Sequence, residues 1–352
     1  MHEFGPSLFI GKNKGYISFG SGQPDLAPPK RIFGVDKRFR VFKYGLVRGE
    51  EKLRVGVAKA MREYGHKFSA RNIVITNGAS EALDLTFGAL LGKDGGKVLL
   101  TVPYYYTYPT LIAKNRGRAV YTKLVDGHID LEDFRAKLEG AKVALVNSPA
   151  NPTGCVQPRK TLEEIEKMTR DLGVKLISDE VYSNLIYEGE HYSPKGEHVI
   201  TLNSFSKTFA MCGLRVGYCC ANEEIVEKVV GLKTATSMNT SVLGQEMAYE
   251  ALKVPHSYVK RQLEVFRKRR DLVYNGLMEM GLELWKPEGA FYALPKVKNP
   301  KKTVWELYSK HRVITYCGEW FGAPKRIRLS YALNSAMIGK GLKNIENYLK
   351  RH

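Results

Sequence analysis

Between residues 70 and 220 the chain alternates short apolar runs with helix-period segments, and the runs end at polar or turn-forming residues. Ile73–Thr76 reads as a strand. Ser80–Leu91 then places Leu83, Phe87, Leu90 and Leu91 on one helical face before Gly92 stops it. Lys97–Val102 is a second strand, ended by Pro103, and Val143–Val146 a third, running into Asn147-Ser148-Pro149. Thr161 with Glu164 spells a capping box, followed by Leu162, Ile165, Met168 and Leu172 at helical spacing. Lys175–Ser178 ends at Asp179, and Val199–Leu202 runs into Asn203-Ser204-Phe205-Ser206-Lys207. The alternation predicts an α/β fold, a mostly parallel sheet with helices on both faces. Ligands in such sheets sit beyond the carboxyl ends of the strands, and the polar clusters fall there.

From about residue 255 the texture changes. A long charged helical stretch, Tyr258 to Met280, is followed by Gly289-Ala290-Phe291-Tyr292, a short strand near Arg326–Ser330 and a final amphipathic helix. At roughly 150 residues per domain, the 352-residue chain suggests two domains. The expected division is a large domain over 31–260 and a smaller α+β domain built from 1–30 and 261–352.

Lys and Arg number 55 against 36 Asp and Glu, a formal net charge of +19. Nucleic-acid binding, steering of an anionic ligand and a dispersed basic surface all fit that balance. The basic residues are scattered, with only brief clusters such as Lys37–Arg40 and Arg267–Arg270, and no zinc-finger or RNP signature occurs, which favours the dispersed surface. The cysteines 155, 212, 219, 220 and 317 are odd in number and contain no Cys-x-x-Cys, as expected of reduced thiols. Scarce histidines without ligand spacing argue against a metal site. No run approaches the about 18–20 apolar residues of a membrane span. The apolar patch Leu8–Ile10 ends at Gly11, so no signal peptide is read and a cytoplasmic location is expected.

The chemistry concentrates after the strands. Lys207 follows an apolar strand and precedes Thr208-Phe209-Ala210-Met211. A lone lysine is ordinarily a solvated surface residue; a desolvated one has a lowered pKa and can form a Schiff base with a carbonyl. Asp179 stands about one α/β unit earlier, where a carboxylate can keep a ring nitrogen protonated or merely cap a loop. Arg215, in Gly213-Leu214-Arg215-Val216-Gly217, can pair with a phosphate. Asn77-Gly78-Ala79-Ser80 leads from a strand straight into a helix, a common turn that also makes a phosphate seat. An aldehyde-binding lysine, a ring-nitrogen carboxylate and a phosphate seat together meet the requirements of pyridoxal 5′-phosphate.

The segment 204–218, Ser-Phe-Ser-Lys-Thr-Phe-Ala-Met-Cys-Gly-Leu-Arg-Val-Gly-Tyr, resembles the cofactor-lysine signature of the class I/II aminotransferases. The likeness spans nearly the whole chain. Gly22-Gln23-Pro24-Asp25 resembles the family's N-terminal substrate loop, and Tyr44 with Gly49, Leu53 and Arg54 its Tyr-Gly…Gly…Leu-Arg segment. Asn147 to Gly154, Asp179-Glu180-Val181-Tyr182 and Arg328-Leu329-Ser330-Tyr331-Ala332 complete the series, closest to the prokaryotic aspartate, aromatic and alanine branch.

The resemblance implies a fold type I enzyme: a seven-stranded-type sheet in a large cofactor domain beside a small α+β domain. It implies that Lys207 carries the cofactor and shuttles the proton, that Asp179 pairs with the pyridine nitrogen, and that Asn151 and Tyr182 bond the ring oxygen. Tyr105 would stack on the ring. Gly78, Ala79, Ser80, Ser204 and Arg215 would hold the phosphate, joined by Tyr44 from a neighbouring subunit of a homodimer. Gly22, Asn151 and Arg328 would bind substrate, Arg328 clamping the α-carboxylate. Peptide bonds before Pro103 and Pro152 are expected cis. The implied activity is ping-pong transfer of an amino group from an L-amino acid, aspartate or an aromatic one, to a 2-oxo acid such as 2-oxoglutarate. Some aspartate-specific relatives carry a lysine where Ser80 stands, and the interval from Gly22 to Tyr44 is short for the family. The rival readings are a β-eliminating lyase on the same cofactor and a nucleic-acid-binding regulator with an aminotransferase-like body. The second would need an extra module, which is not expected in the short stretch before Gly22.

Overall fold

The structure, a computed structural model, describes residues 14–351, so the Leu8–Ile10 patch lies outside the described residues. Its centre is an eight-stranded sheet. In spatial order the strands are Ile73–Thr76, Gly217–Cys220, Val199–Ser204, Lys175–Asp179, Ala141–Asn147, Gly96–Val102, Gly117–Val125 and His128–Ile129. All but Gly217–Cys220 and His128–Ile129 run in one direction. Every residue of Ile73–Thr76 and of Val199–Ser204 is buried, as expected of strands covered on both faces. The strand beyond the seven-stranded expectation is His128–Ile129, a two-residue hairpin partner of Gly117–Val125.

Gly217–Cys220 decides where the site forms. It lies antiparallel between Ile73–Thr76 and Val199–Ser204, and Gly217 is in register with both Thr76 and Ser204. The reversal brings the start of this strand, and Arg215 just before it, to the rim where the parallel strands end. The packing is tight: a Cβ on Gly217 would lie 2.6 Å from the Gly78 carbonyl carbon and 2.7 Å from the Ala79 nitrogen. Only glycine permits that approach.

The helices differ in detail from their sequence signals. The helix after Ile73–Thr76 begins at Gly78 rather than Ser80. The helix expected from Thr161 runs Arg159–Asp171 with Pro158 before it, so Thr161 lies inside and its capping box does not form. Proline at φ −58° already directs the chain into the helix, and its carbonyl accepts from Leu162 N at 3.1 Å.

Elsewhere, His256–Glu279 is the long charged helix and Ser335–Leu349 the last. Tyr292–Ala293, Ile327–Ser330 and Tyr316–Cys317 make a three-stranded antiparallel sheet, and Ile17–Ser18 pairs in parallel with Val313–Ile314. One hydrophobic cluster unites Phe19, Phe266, Val273, Phe291, Leu329 and Ile338 with Val181, Tyr182 and Leu185 from beside the large sheet. The peptide bonds before Pro103, Pro149 and Pro152 are cis, two of them as expected. All five cysteines are free thiols.

Candidate active site

A cavity of about 300 Å³ opens at the carboxyl ends of the parallel strands. Gly22, Ala79, Ser80, Tyr105, Asn151, Asp179, Tyr182, Ser204, Lys207, Arg215 and Arg328, all singled out in the sequence, line it. Gly78 lies just behind, against the Arg215 guanidinium. Tyr44 does not reach this cavity in its own chain; it is 82% exposed, near Asn239 and Val242.

Asp179 ends its strand 3% exposed. Its Oδ2 accepts from the Tyr108 hydroxyl at 2.6 Å and its Oδ1 from Val181 N at 3.3 Å. Burial pushes its carboxyl up to about 6, against the lowering effect of the Tyr108 and Val181 hydrogen bonds. Asn147 bonds the Asp179 carbonyl through Nδ2 at 2.9 Å, and its Oδ1 accepts from Asn151 N at 2.9 Å. The turn carrying Asn151 is thereby fixed to the strand carrying Asp179.

Lys207 lies in the short helix Phe205–Thr208 and donates from Nζ to the Gly22 carbonyl at 2.6 Å. Burial lowers its amine below the usual lysine range; Arg328 and Arg215 act in the same direction, while Cys212 and Asp179 oppose. An amine so placed gives up its proton more readily, as a Schiff-base former and proton carrier must.

Arg328 is 2% exposed. Its Nη1 donates to Asn151 Oδ1 at 3.1 Å and its Nη2 to the Gly20 carbonyl at 2.6 Å, while its buried Nε has no partner. The rings of Tyr292, Tyr316 and Phe321 surround it, with centroids 4.6, 4.8 and 4.7 Å from its guanidinium carbon. These neighbours are neutral, and a buried cation so placed favours an incoming anion.

Gly78, at φ +76°, starts the helix that supplies Ala79 and Ser80, and Arg215 donates to the carbonyls of Cys212 and Asn77 at 3.0 and 3.3 Å. Glu81 steadies this turn by accepting from Asn77 N at 2.6 Å and is itself held by the fully buried Lys233 at 2.7 Å. A helix N-terminus beside a guanidinium suits a phosphate. The Ser204 hydroxyl accepts from Ser206 N at 3.0 Å and donates to Ser206 Oγ at 2.8 Å or to the Val216 carbonyl at 3.1 Å.

Among the cavity residues without a sequence assignment are Tyr108, Tyr292, Ser206 and Cys212. Tyr292 meets Tyr182 hydroxyl to hydroxyl at 2.8 Å. The sequence signal for it was the Gly289-Ala290-Phe291-Tyr292 stretch; for Tyr108 it was the tyrosine run after Pro103.

The family model for aminotransferases of class I and II matches residues 14–345. The chain belongs to the class I and II aminotransferase family. This aminotransferase is 31% identical over 352 residues to the aspartate/prephenate aminotransferase of Thermus thermophilus, with 95% of the chain and 91% of that protein covered. It is 32% identical over 354 residues to the aspartate aminotransferase of Thermotoga maritima, covering 97% and 93%. Among solved structures, the Thermus thermophilus aspartate aminotransferase with maleate superposes with a TM-score of 0.94 at 29% identity, over 99% of this chain and 97% of that one. The aromatic aminotransferase of Pyrococcus horikoshii superposes with a TM-score of 0.90 at 30% identity, over 99% of both chains. The fold is that of fold type I aminotransferases, and the chain is an enzyme of amino-group transfer. Its family uses pyridoxal 5′-phosphate. Among the described residues no helix is long and apolar enough to cross a membrane, and no cluster of His, Cys, Asp and Glu is arranged for a metal.

Proposed function

We propose that this aminotransferase binds pyridoxal 5′-phosphate in the cavity described and transfers the amino group of an L-amino acid, aspartate or an aromatic one, to 2-oxoglutarate or a similar 2-oxo acid. The observation that carries the proposal is the convergence of Lys207, Asp179, Arg215 and the Ala79–Ser80 turn on one cavity. The residues fit the group: Gly78 leaves room that a Cβ would take from Arg215, and Arg328 keeps a buried donor without a partner. When bound, the cofactor supplies an aldehyde for the amino group and a protonated ring that withdraws electrons from Cα.

The chain supplies the rest. Asp179 holds the proton on the ring nitrogen. Asn151 and Tyr182 orient the ring oxygen, and Tyr105 covers a ring face. Ala79, Ser80, Ser204 and Arg215 hold the phosphate. Arg328 would bind the substrate carboxylate, Gly22 would border it, and Lys207 would take and return the Cα proton. The donor and acceptor acids would use the same contacts in turn, which is a ping-pong arrangement.

The proposal includes a homodimer in which a second copy contributes Tyr44; the exposure of Tyr44 and of Phe42 at 87% supports it. It also includes a cytoplasmic location and the division at 30/31 and 260/261, with the helix His256–Glu279 crossing the second boundary as the link. The test is borohydride reduction of cofactor-loaded protein followed by peptide mass spectrometry. The expected adduct lies on Lys207; an adduct on another lysine overturns the assignment.

A further inference from the structure

Tyr108 lies in the first turn of the helix Thr107–Lys114 and is 2% exposed. Its backbone N–H is held by the Tyr105 carbonyl at 2.9 Å, and its ring meets that of Tyr105 edge-on, with centroids 5.5 Å apart at 85°. Its hydroxyl donates to Asp179 Oδ2 at 2.6 Å. One side chain therefore braces both the aromatic residue facing the cavity and the carboxylate at its floor. A phenol has a single proton to donate. Burial holds the Tyr108 phenol well above its ordinary value, reinforced by the charge of Asp179, so that proton stays on Tyr108 and Asp179 is the acceptor. Such a bond favours the ionised carboxylate. The other charged groups acting on Asp179 are Glu180, which disfavours its ionisation, and Lys207, which favours it.

We propose that Tyr108 is a positioning residue for Asp179: its phenol keeps the carboxylate ionised and fixes one oxygen, leaving the other to meet the cofactor ring nitrogen. This inference rests on the pyridoxal phosphate reading above. It assigns to this tyrosine a function that acts through Asp179, and it explains why a carboxylate buried to this degree serves as an anion.

The experiment is equilibrium titration of the full chain, freed of cofactor, with pyridoxal 5′-phosphate between pH 5.5 and 8.5, followed by absorbance. Four proteins are compared: wild type, Tyr108→Phe, Asp179→Asn and the double variant. Phenylalanine preserves the buried volume. Tyr108→Phe is expected to weaken binding about 10-fold at pH 7, since a hydrogen bond to a charged group is lost. The loss should grow toward acid, because without the donor Asp179 takes up its proton at higher pH. In the Asp179→Asn background the same substitution should change binding less than about 2-fold, since its effect acts through the carboxylate. Wild-type affinity and pH profile in Tyr108→Phe, or an equal loss in both backgrounds, overturns the inference alone. Unaltered binding in Asp179→Asn overturns the cofactor reading, and this inference with it.

Discussion

Arg328 and Asn151 lie 177 positions apart in sequence and meet through a buried hydrogen bond, Nη1 to Oδ1, at 3.1 Å. The contact ties the Ile327–Ser330 strand of the smaller sheet to the turn that follows Ala141–Asn147 in the larger one. Because Asn151 is held through Asn147 to Asp179, the substrate-side cation and the ring-side anion belong to one connected frame.

Replacing Arg328 tests the substrate end of that frame. Arg328→Ala should lower kcat/KM by roughly 30-fold to several thousand-fold, equivalent to about 2–5 kcal/mol. The loss should be similar for aspartate and phenylalanine, because the α-carboxylate is common to both. Arg328→Lys should also be impaired, since an ammonium lacks the planar fork. Steady-state kinetics with the two donors check this, and near-normal values for both in Arg328→Ala remove Arg328 from the site.

Asp179 should cost the cofactor-free chain stability in a defined pH window. Its folded value is near 6 against an ordinary 3.8. Well below pH 3.8 the carboxyl is neutral in both folded and unfolded chains and carries no penalty. As pH rises through 6 the folded chain must hold a disfavoured charge, so stability falls. Asp179→Asn is expected to match wild type to within about 0.5 kcal/mol at pH 4 and to exceed it by about 2–3 kcal/mol at pH 8. Urea unfolding at the two pH values measures the difference; no gain at pH 8 contradicts it.

Gly78→Ala should impair phosphate binding specifically. The new methyl would press on the Arg215 guanidinium, at a residue with φ +76°. The backbone strain costs about 1 kcal/mol, which the fold tolerates. Affinity for pyridoxal 5′-phosphate should drop more than about 10-fold, while affinity for pyridoxal, which lacks the phosphate, should stay near wild type. Paired titrations with the two ligands decide it, and equal losses exclude a phosphate-specific effect.

The residues legible in the sequence were those at the ends of fully buried strands. Asp179 and Ser204 follow apolar runs that no other element explains. Gly117–Val125 was missed because it is half-exposed along much of its length, so polar residues such as Arg118 and Lys123 break the apolar signal. Gly217–Cys220 was missed because the glycines around Arg215 read as a loop, and nothing local announces a strand running against its neighbours. The Tyr108–Asp179 bond joins residues 71 positions apart and depends on a cross-sheet geometry that spacing does not encode. Arg328 stood out only through its motif, since three basic residues in Lys325–Arg328 give no local reason to bury the last one.

The carbonyls of Gly20 and Gly22 have a consequence for which molecules the site admits. They accept from Arg328 Nη2 and Lys207 Nζ respectively, so those two donor groups already have partners while Arg328 Nε has none. At Arg328 Nη2 an arriving molecule must therefore outcompete a neutral acceptor already in place. A carboxylate does so, because a full negative charge binds guanidinium more strongly than an amide oxygen. A plain amine brings nothing to exchange at Arg328.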